Sequence, residues 1–287
     1  MHVTVGYLAT PSGDDGVALA AALATTLDAT VDVVLVLAGD DPPMEGSGPY
    51  RKVLEAKAAG WLDAAVTQFP SSVTVAAHTV YNESFAEGLV EFAETHHSDM
   101  IVLGAAGDSI LNRHAVGSVA GALLHASPVP VALAPRGFRD RGVTEITGFT
   151  VAVPTRQASA NPLPFAITLA SAAHVPLRLM SLVSLEPGGY GPDGPSRETR
   201  QKYVDAAEAN LDIAIRALPD TPGLESIVAD GSTLEEAVSS LSWRAGDVLA
   251  LGSGRLGQPS RVFLGSGAAK ILRATTAPVM VVPREFE

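Results

Sequence analysis

Asp99-Met100-Ile101-Val102-Leu103-Gly104 and Asp247-Val248-Leu249-Ala250-Leu251-Gly252 are one element written twice, 148 positions apart. Each is an acid, a run of apolar residues and a glycine, which reads as a buried strand running into a tight turn. Outward from this pair, at the same offset and without a gap, Arg113 falls on Arg261 and Gly117-Ser118 on Gly265-Ser266. Pro130 and Pro135 fall on Pro278 and Pro283. Composition alone does not produce such spacing. It predicts two similar units in tandem, each closing with strand, glycine loop, helix and strand.

The rest of each unit follows one alternation. In the first, strands are expected at His2–Leu8, Val31–Leu37, Val73–Val80, Asp99–Leu103 and Val129–Leu133, because their apolar and β-branched runs suit strands buried on both faces. Helices are expected at Gly13–Asp28, Arg51–Gln68, Ser84–His96 and Ser118–His125. On the second of these, Val53, Leu54, Trp61, Leu62 and Val66 recur at helical spacing, and Trp61 reads as a packing residue. In the second unit, strands are expected at Phe149–Val153, Leu177–Val183, Glu225–Val228, Asp247–Leu251 and Val279–Val282. The helices are Pro162–Ala173, Glu198–Leu218, Leu234–Arg244 and Ser266–Thr275. Strands alternating with helices imply a parallel, doubly wound α/β sheet with right-handed crossovers. The units are taken as residues 1–137 and 145–287, joined by a charged, glycine-containing linker at 138–144. Each is long enough for its own core, which predicts that residues 1–140 fold alone. The Gly/Pro-rich segments 39–49 and 187–195 read as surface loops.

Composition narrows the function. Of 287 residues, 47% are hydrophobic and only 5% aromatic, so the core must be built from Ala, Val, Leu and Ile. A formal net charge of −12 argues against nonspecific nucleic-acid binding, which needs a basic surface. The chain has no cysteine, which excludes disulfides and thiolate chemistry. No apolar run is long enough for a membrane span and no secretory signal opens the chain, so a cytoplasmic location is expected.

Ligands of doubly wound sheets bind past the carboxyl ends of the strands, where strand order switches. That directs attention to the segment after Leu103. There Gly104-x2-Gly107 is followed, nine residues on, by Gly117-Ser118 at a helix start. Glycines permit a tight turn and close approach of a ligand to the backbone. The amides and positive dipole end of the helix favour a phosphate. Ser118 either caps that helix or donates its hydroxyl to a phosphate oxygen, with Val119 following it. The pattern alone leaves an ordinary βα turn with a serine N-cap equally open.

The run Gly-x2-Gly-x9-Gly-Ser, together with Val116-Gly117-Ser118-Val119-Ala120 and Ser127-Pro128-Val129-Pro130-Val131, resembles the universal stress protein family. The tandem arrangement resembles it too, so the likeness spans the whole chain. It implies two tandem flavodoxin-like (Rossmann-like), doubly wound domains of five parallel strands. It also implies binding of ATP or a related adenine nucleotide, with or without Mg2+, through Gly104, Gly107, Gly117, Ser118, Val119 and Arg113. Members of the family dimerise and tandem members mimic a dimer within one chain, so an intramolecular pseudo-dimer and a homodimer are both expected.

Two departures from the family pattern stand out. ATP-binding members carry an aspartate near the end of the first strand. Here Gly6 or Leu8 takes its place, and the second unit reads Val153-Pro154-Thr155-Arg156, again without an acid. The second loop, Gly252-Ser253-Gly254-Arg255 and then Gly265-Ser266, has Arg255 where the second glycine belongs. Its β-carbon obstructs the backbone cradle, or its guanidinium pairs with a phosphate. The second site is therefore ranked below the first. An interaction scaffold without nucleotide binding is the alternative reading.

Other patterns carry less. Gly252-x-Gly254-x-x-Gly257 matches a dinucleotide fingerprint, but Pro259 follows closely and the strand is the fourth of its unit. Ser12-Gly13-Asp14-Asp15 lacks the second glycine of an ATP-pyrophosphatase loop and reads as a helix start. Arg113 and Arg261 read as a phosphate or partner contact or, more plainly, as solvated loop residues or a salt bridge between halves. His96-His97 suits a helix C-terminus, while His78, His125 and His174 sit singly. No zinc spacing, nucleophile elbow or catalytic triad is visible, so neither a structural metal nor an enzyme is expected.

Overall fold

The computed structural model describes residues 1–39, 48–105, 117–153, 161–185, 195–218, 223–254 and 260–284. The first half runs β1 (His2–Gly6), α1 (Pro11–Leu27), β2 (Thr30–Leu37), α2 (Gly48–Val66), β3 (Val75–Tyr81), α3 (Phe85–Thr95), β4 (Met100–Gly104), α4 (Ser118–Ala126) and β5 (Val131–Ala134). The second half runs β6 (Gly148–Ala152), α5 (Leu163–Ala173), β7 (Leu177–Ser184), α6 (Arg197–Arg216), β8 (Glu225–Gly231), α7 (Leu234–Ser239), β9 (Asp247–Gly252), α8 (Ser266–Ala274) and β10 (Val279–Val282). The expected alternation is present in both.

The largest boundary difference is α7, which stops at Ser239 rather than continuing to Arg244. One local and one tertiary bond hold the chain off the helical path. The Asp247 carboxylate accepts the Arg244 N–H at 2.9 Å, and the Arg178 guanidinium donates to the Ser242 carbonyl at 3.4 Å. Helix α1 starts two residues earlier than expected. Thr10 is its N-cap and Pro11 opens the helix, where a missing N–H costs nothing.

Among the described residues ten strands form one sheet, ordered β3-β2-β1-β4-β5-β10-β9-β6-β7-β8. Neighbours within each half are parallel, and β5 and β10 join the halves antiparallel. Ala132 lies opposite Met280, its own counterpart in the repeat, while Val131 faces Val281 and Leu133 faces Val279. The seam is thus a local twofold axis, and the chain is a pseudo-dimer of its two halves.

The core follows the faces of this sheet rather than the two units. One apolar cluster includes Val5, Leu23 and Met100 from the first half with Phe149, Leu179 and Met280 from the second. On the other face Leu89, Ile101 and Leu123 share a cluster with Leu249, Leu272 and Val281. Val, Leu, Ile and Ala dominate both, as the scarcity of aromatics requires. Two residues depart from expectation. Trp61 is 39% and Val53 56% exposed on α2, so neither packs in the core. Leu62, one position from Trp61, is buried instead.

The connection between halves is pinned. Phe138 is buried, and residues Arg139–Arg141 make one 3-10 turn. The buried carboxylate of Asp15, on α1, accepts the Gly137 N–H at 2.8 Å and the Arg139 N–H at 3.1 Å. Removing a buried charged acceptor from two backbone donors costs about 2–4 kcal/mol. Asp15→Ala is therefore expected to lower the unfolding free energy by that amount, read as a lower chemical-denaturation midpoint, with Asp15→Asn, which keeps one acceptor, losing less. A midpoint unchanged by Asp15→Ala would show the connection to be energetically idle.

Candidate functional site

Strand order reverses between β1 and β4. Past their carboxyl ends lies a cleft of about 260 Å³. It is lined by Gly6, Leu8, Thr10, Ser12, Gly13, Phe85, Leu103, Gly104, Gly117, Ser118, Val119 and Ala120. Four elements converge on it: the end of β1, the start of α1, the start of α3 and the passage from β4 to α4.

The start of α4 supplies its polar end. Gly117 is the N-cap, with extended backbone and no side-chain capping bond. Its carbonyl accepts the first helical bond, from the Gly121 N–H at 2.8 Å. No side chain among the described residues caps the first turn, which leaves its first N–H groups without an intrahelical or side-chain partner there. Ser118 is the first helical residue rather than the cap. Its side chain is exposed at the cleft, which settles the capping alternative left open by the sequence.

The start of α1 closes the other side, and its glycines are dictated by packing. A β-carbon on Gly104 would lie 1.7 Å from the Ser12 carbonyl oxygen, and one on Gly13 would lie 1.8 Å from that of Leu8. The Ser12 hydroxyl donates to the Ala105 carbonyl at 2.6 Å, and Thr10 Oγ1 accepts the Gly13 N–H at 3.2 Å. Gly104 is thus at the cleft, as expected, yet its lack of a side chain is first required by α1. Leu8 entered the sequence reading only as one of two residues at the place of the family's aspartate, and Ser12-Gly13 only as a helix start; Thr10 and Phe85 were not singled out as site residues. Thr10-Pro11, a cap followed by a favoured opening residue, is a local signal that could have placed this turn beside the strand ends.

Register at the end of β1 is also decided. A β-carbon on Gly6 would sit 2.5 Å from the side chains of Leu103 and Leu89, whereas Leu8 is 45% exposed at the cleft. Leu8, two residues past β1, is therefore the side chain that faces the cleft there. Nearby acids are engaged elsewhere: Asp14 pairs with Arg139 at 2.8 Å and lies 3.5 Å from the Tyr7 hydroxyl. Burial, reinforced by that carboxylate, raises the Tyr7 phenol above its usual range. The described lining carries no carboxylate, imidazole or amine.

In the second half the beginning of the loop after β9 is also among the described residues. Gly265 caps α8 as Gly117 caps α4, without a side-chain bond. The loop backbone lies against the helix start: a β-carbon on Gly254 would meet Gly265 Cα at 2.9 Å and its nitrogen at 3.0 Å. The Gly254 N–H donates to the Phe263 carbonyl at 2.7 Å, and the Phe263 N–H to Ser253 Oγ at 3.1 Å. These two loop amides are thus used internally. Gly252 and Ser266 keep their expected places at the end of β9 and the start of α8. Gly107, Arg113, Arg255 and Gly257, and most of the two Gly/Pro-rich loops, lie outside the described residues.

Arg261 bonds the Ala126 carbonyl at 2.7 Å and lies 3.6 Å from Glu94, so it ties the halves together. His78 does not sit singly. Its Nε2 is 2.9 Å from Asp32 Oδ1, whose other oxygen is 2.6 Å from His2 Nε2, and its ring packs against Phe92 and His96. These residues lie far apart in sequence and meet only through the β1-β2-β3 pairing. Among the described residues no group of three or more His, Cys, Asp or Glu is placed to hold a metal ion. No helix among them is long and apolar enough to cross a membrane.

The repeat, the antiparallel seam and the switch-point cleft together define a tandem α/β pseudo-dimer. The universal stress protein family matches residues 1–135 and again residues 149–283, and the chain belongs to that family. Universal stress proteins of Mycobacterium tuberculosis (strain H37Rv) and Mycobacterium bovis are each 28% identical over 304 aligned residues, spanning 99% of this chain and 100% of the relative. A crystal structure of a universal stress protein from Archaeoglobus fulgidus superposes with a TM-score of 0.64 at 15% identity, covering 98% of both chains. At that identity the likeness speaks for the fold alone.

Proposed function

We propose that the first-half cleft binds ATP or a related adenine nucleotide, and that the chain acts in stress adaptation as a non-catalytic nucleotide-responsive protein of the cytoplasm. The observation that carries this is the α4 start, uncapped by any described side chain, with the exposed Ser118 hydroxyl beside it at the β1/β4 switch point. Phosphates would rest on the amides of Ser118, Val119 and Ala120, and Phe85 offers a flat apolar wall to the base. The choice of adenine rests on the family resemblance. No carboxylate in the described lining is available to hold Mg2+, so the ion would ride on the phosphates, within reach of the Ser118 hydroxyl. With no general base in that lining, hydrolysis has no assigned catalyst. The units remain 1–137 and 145–287, and a homodimer of the tandem chain is part of this proposal.

Titration calorimetry of nucleotide-free, full-length protein with Mg-ATP tests the reading. One site of micromolar affinity is expected. A hydrogen bond to a charged group contributes about 1.5–3 kcal/mol, so Ser118→Ala is expected to weaken binding by about tenfold or more. Ser266→Ala is expected to leave it unchanged, because the second loop is closed by Gly254 and Gly265. Equal losses in both variants would overturn the asymmetry. Absence of heat at several temperatures would favour the scaffold reading, for which the specific observation is Leu8, an apolar side chain at the nucleoside end of the cleft.

A further inference from the structure

Among the described residues the sheet ends at two unpaired edges, β3 on one side and β8 on the other. They are guarded differently. β8 carries Glu225, tied to Arg244 at 3.0 Å, and Asp230, tied to Arg200. β3 reads Val-Ala-Ala-His-Thr-Val-Tyr, without acid, lysine, arginine or proline, and its Ala76 and Ala77 are exposed. Charges and proline are the usual means of keeping an edge from pairing with another chain. The outward groups of β3 follow from how it bonds its one neighbour. The Thr74 carbonyl accepts the Val31 N–H at 2.9 Å, and the Asn82 N–H donates to the Leu37 carbonyl at 3.1 Å. With Val31 beside Val75 and Leu37 beside Tyr81, the even-numbered residues of β3 bond β2. Val75, Ala77, Thr79 and Tyr81 therefore turn their N–H and C=O groups away from the sheet.

We propose that β3 is the edge through which two copies of the tandem chain associate, antiparallel, about a twofold axis at His78. This rests on the homodimer included in the reading above and names its surface. In that register Val75 lies opposite the second copy's Tyr81 and Ala77 opposite its Thr79, so every outward residue of the strand bonds reciprocally. The side chains suit it. Val75 and Tyr81 both pack on the first apolar cluster, and setting one against the other carries that cluster across the axis. On the other face Ala76 meets Val80 and His78 meets itself. Glu83, just beyond the strand, falls opposite Val73 and not against another acid. The chain already joins its own halves by antiparallel edge pairing, at β5 and β10. Pairing β3 with itself also closes, because only the charged β8 edges remain outside, whereas β3 on β8 would propagate without end.

Light scattering coupled to size exclusion on the full chain is expected to return twice the chain mass in the micromolar range, falling to a single mass on dilution. Ala77→Pro removes an N–H that β2 does not use, and proline is tolerated on an edge strand facing outward. It is expected to raise the dimer dissociation constant by about tenfold or more. Ala77→Lys, which keeps the N–H and adds a charge to the edge, is expected to weaken the dimer too. The chain has no cysteine, so a single introduced one reports position. His78→Cys is expected to cross-link under mild oxidation, because directly facing residues that share no hydrogen bond lie about 4.5 Å apart at Cα, within disulfide reach. Ala76→Cys, whose own counterpart lies several positions along the partner strand, is expected not to. Thermal melts check that each variant is folded. A single mass at every concentration would overturn the proposal together with the homodimer, and leave the edge to a strand of another protein. A dimer indifferent to both Ala77 variants, with no cross-link at 78, would keep the homodimer and overturn the assignment to β3. Mg-ATP titration of Ala77→Pro is expected to match the natural chain, so the nucleotide reading stands or falls separately.

Discussion

Gly104→Ala is expected to destabilise the protein by about 3 kcal/mol or more, the upper end of the overpacking range. The added carbon would lie 1.7 Å from the Ser12 carbonyl oxygen and 2.5 Å from its carbon, distances that only backbone movement can relieve. Neither partner moves freely. Gly104 ends a strand paired through Ala134, and Ser12 is in the first turn of α1, bonded to the Ala105 carbonyl at 2.6 Å. Relief would lift α1 from β4 and break that bond. For a domain of this size the loss corresponds to a fall of roughly 6–12 °C in Tm. Gly60→Ala is the control: nothing lies within 4 Å of its added carbon, and it sits inside α2. It is expected to gain about 0.5–1 kcal/mol. A Gly104→Ala protein within about 1 kcal/mol of the natural one would refute the packing argument. The expected result also limits what Gly104 can report about ligands. Lost binding there would follow from a displaced α1, so Ser118, exposed and unbonded, is the cleaner probe of the phosphate end.

A fragment of residues 1–140 is expected to be a dimer or an aggregate, never a folded monomer. In the full chain β5 is paired on both sides, by β4 and β10, and Val131, Ala132 and Leu133 are at most 1% exposed. Both apolar clusters continue across this seam. Cutting the chain exposes an uncharged edge strand together with the apolar surface on either side of it. Each fully buried Val or Leu uncovered this way forfeits about 1.5–3 kcal/mol, so the isolated half loses several kcal/mol. The seam itself indicates the remedy. Ala132 faces its own counterpart Met280, so a second copy of the fragment can place its Ala132 there and rebuild the antiparallel pair. Light scattering coupled to size exclusion should return twice the fragment mass, with a midpoint of unfolding that rises with concentration. A folded fragment of single mass, with a concentration-independent midpoint, would show that the half is autonomous, as its length alone suggests.

The elements of this protein were legible because burial patterns are local. Val31–Leu37 and Asp247–Leu251 announce buried strands by composition, and Val279–Val282 coincides with β10. Where the reading slipped, long-range groups had intervened. Asp247 and Arg178 shorten α7, and Arg178 reaches Ser242 from 64 residues away. Val53 and Trp61 match a helical period but point away from the sheet, a choice that depends on how α2 lies on β2 and β3. The candidate site was half legible. Its glycine loop and the start of α4 are sequence-local, whereas the opposite wall, from Leu8 to Gly13, reaches the site only because β1 and β4 are neighbours.

By itself the sequence determined the repeat, its offset, the alternation of strand and helix, and the glycine-rich passage from the fourth strand to a helix start. These are properties of contiguous residues, encoded by periodicity and turn chemistry. Tertiary structure alone decided that the two units share one sheet and both cores. It decided that Leu8 rather than Gly6 faces the cleft, that Gly104 is demanded by Ser12, and that Gly254 closes the second loop onto Gly265. Each of those outcomes is a contact between residues that the fold, and not the local sequence, brings together. Such contacts depend on which strands lie side by side, and no local pattern carries that information.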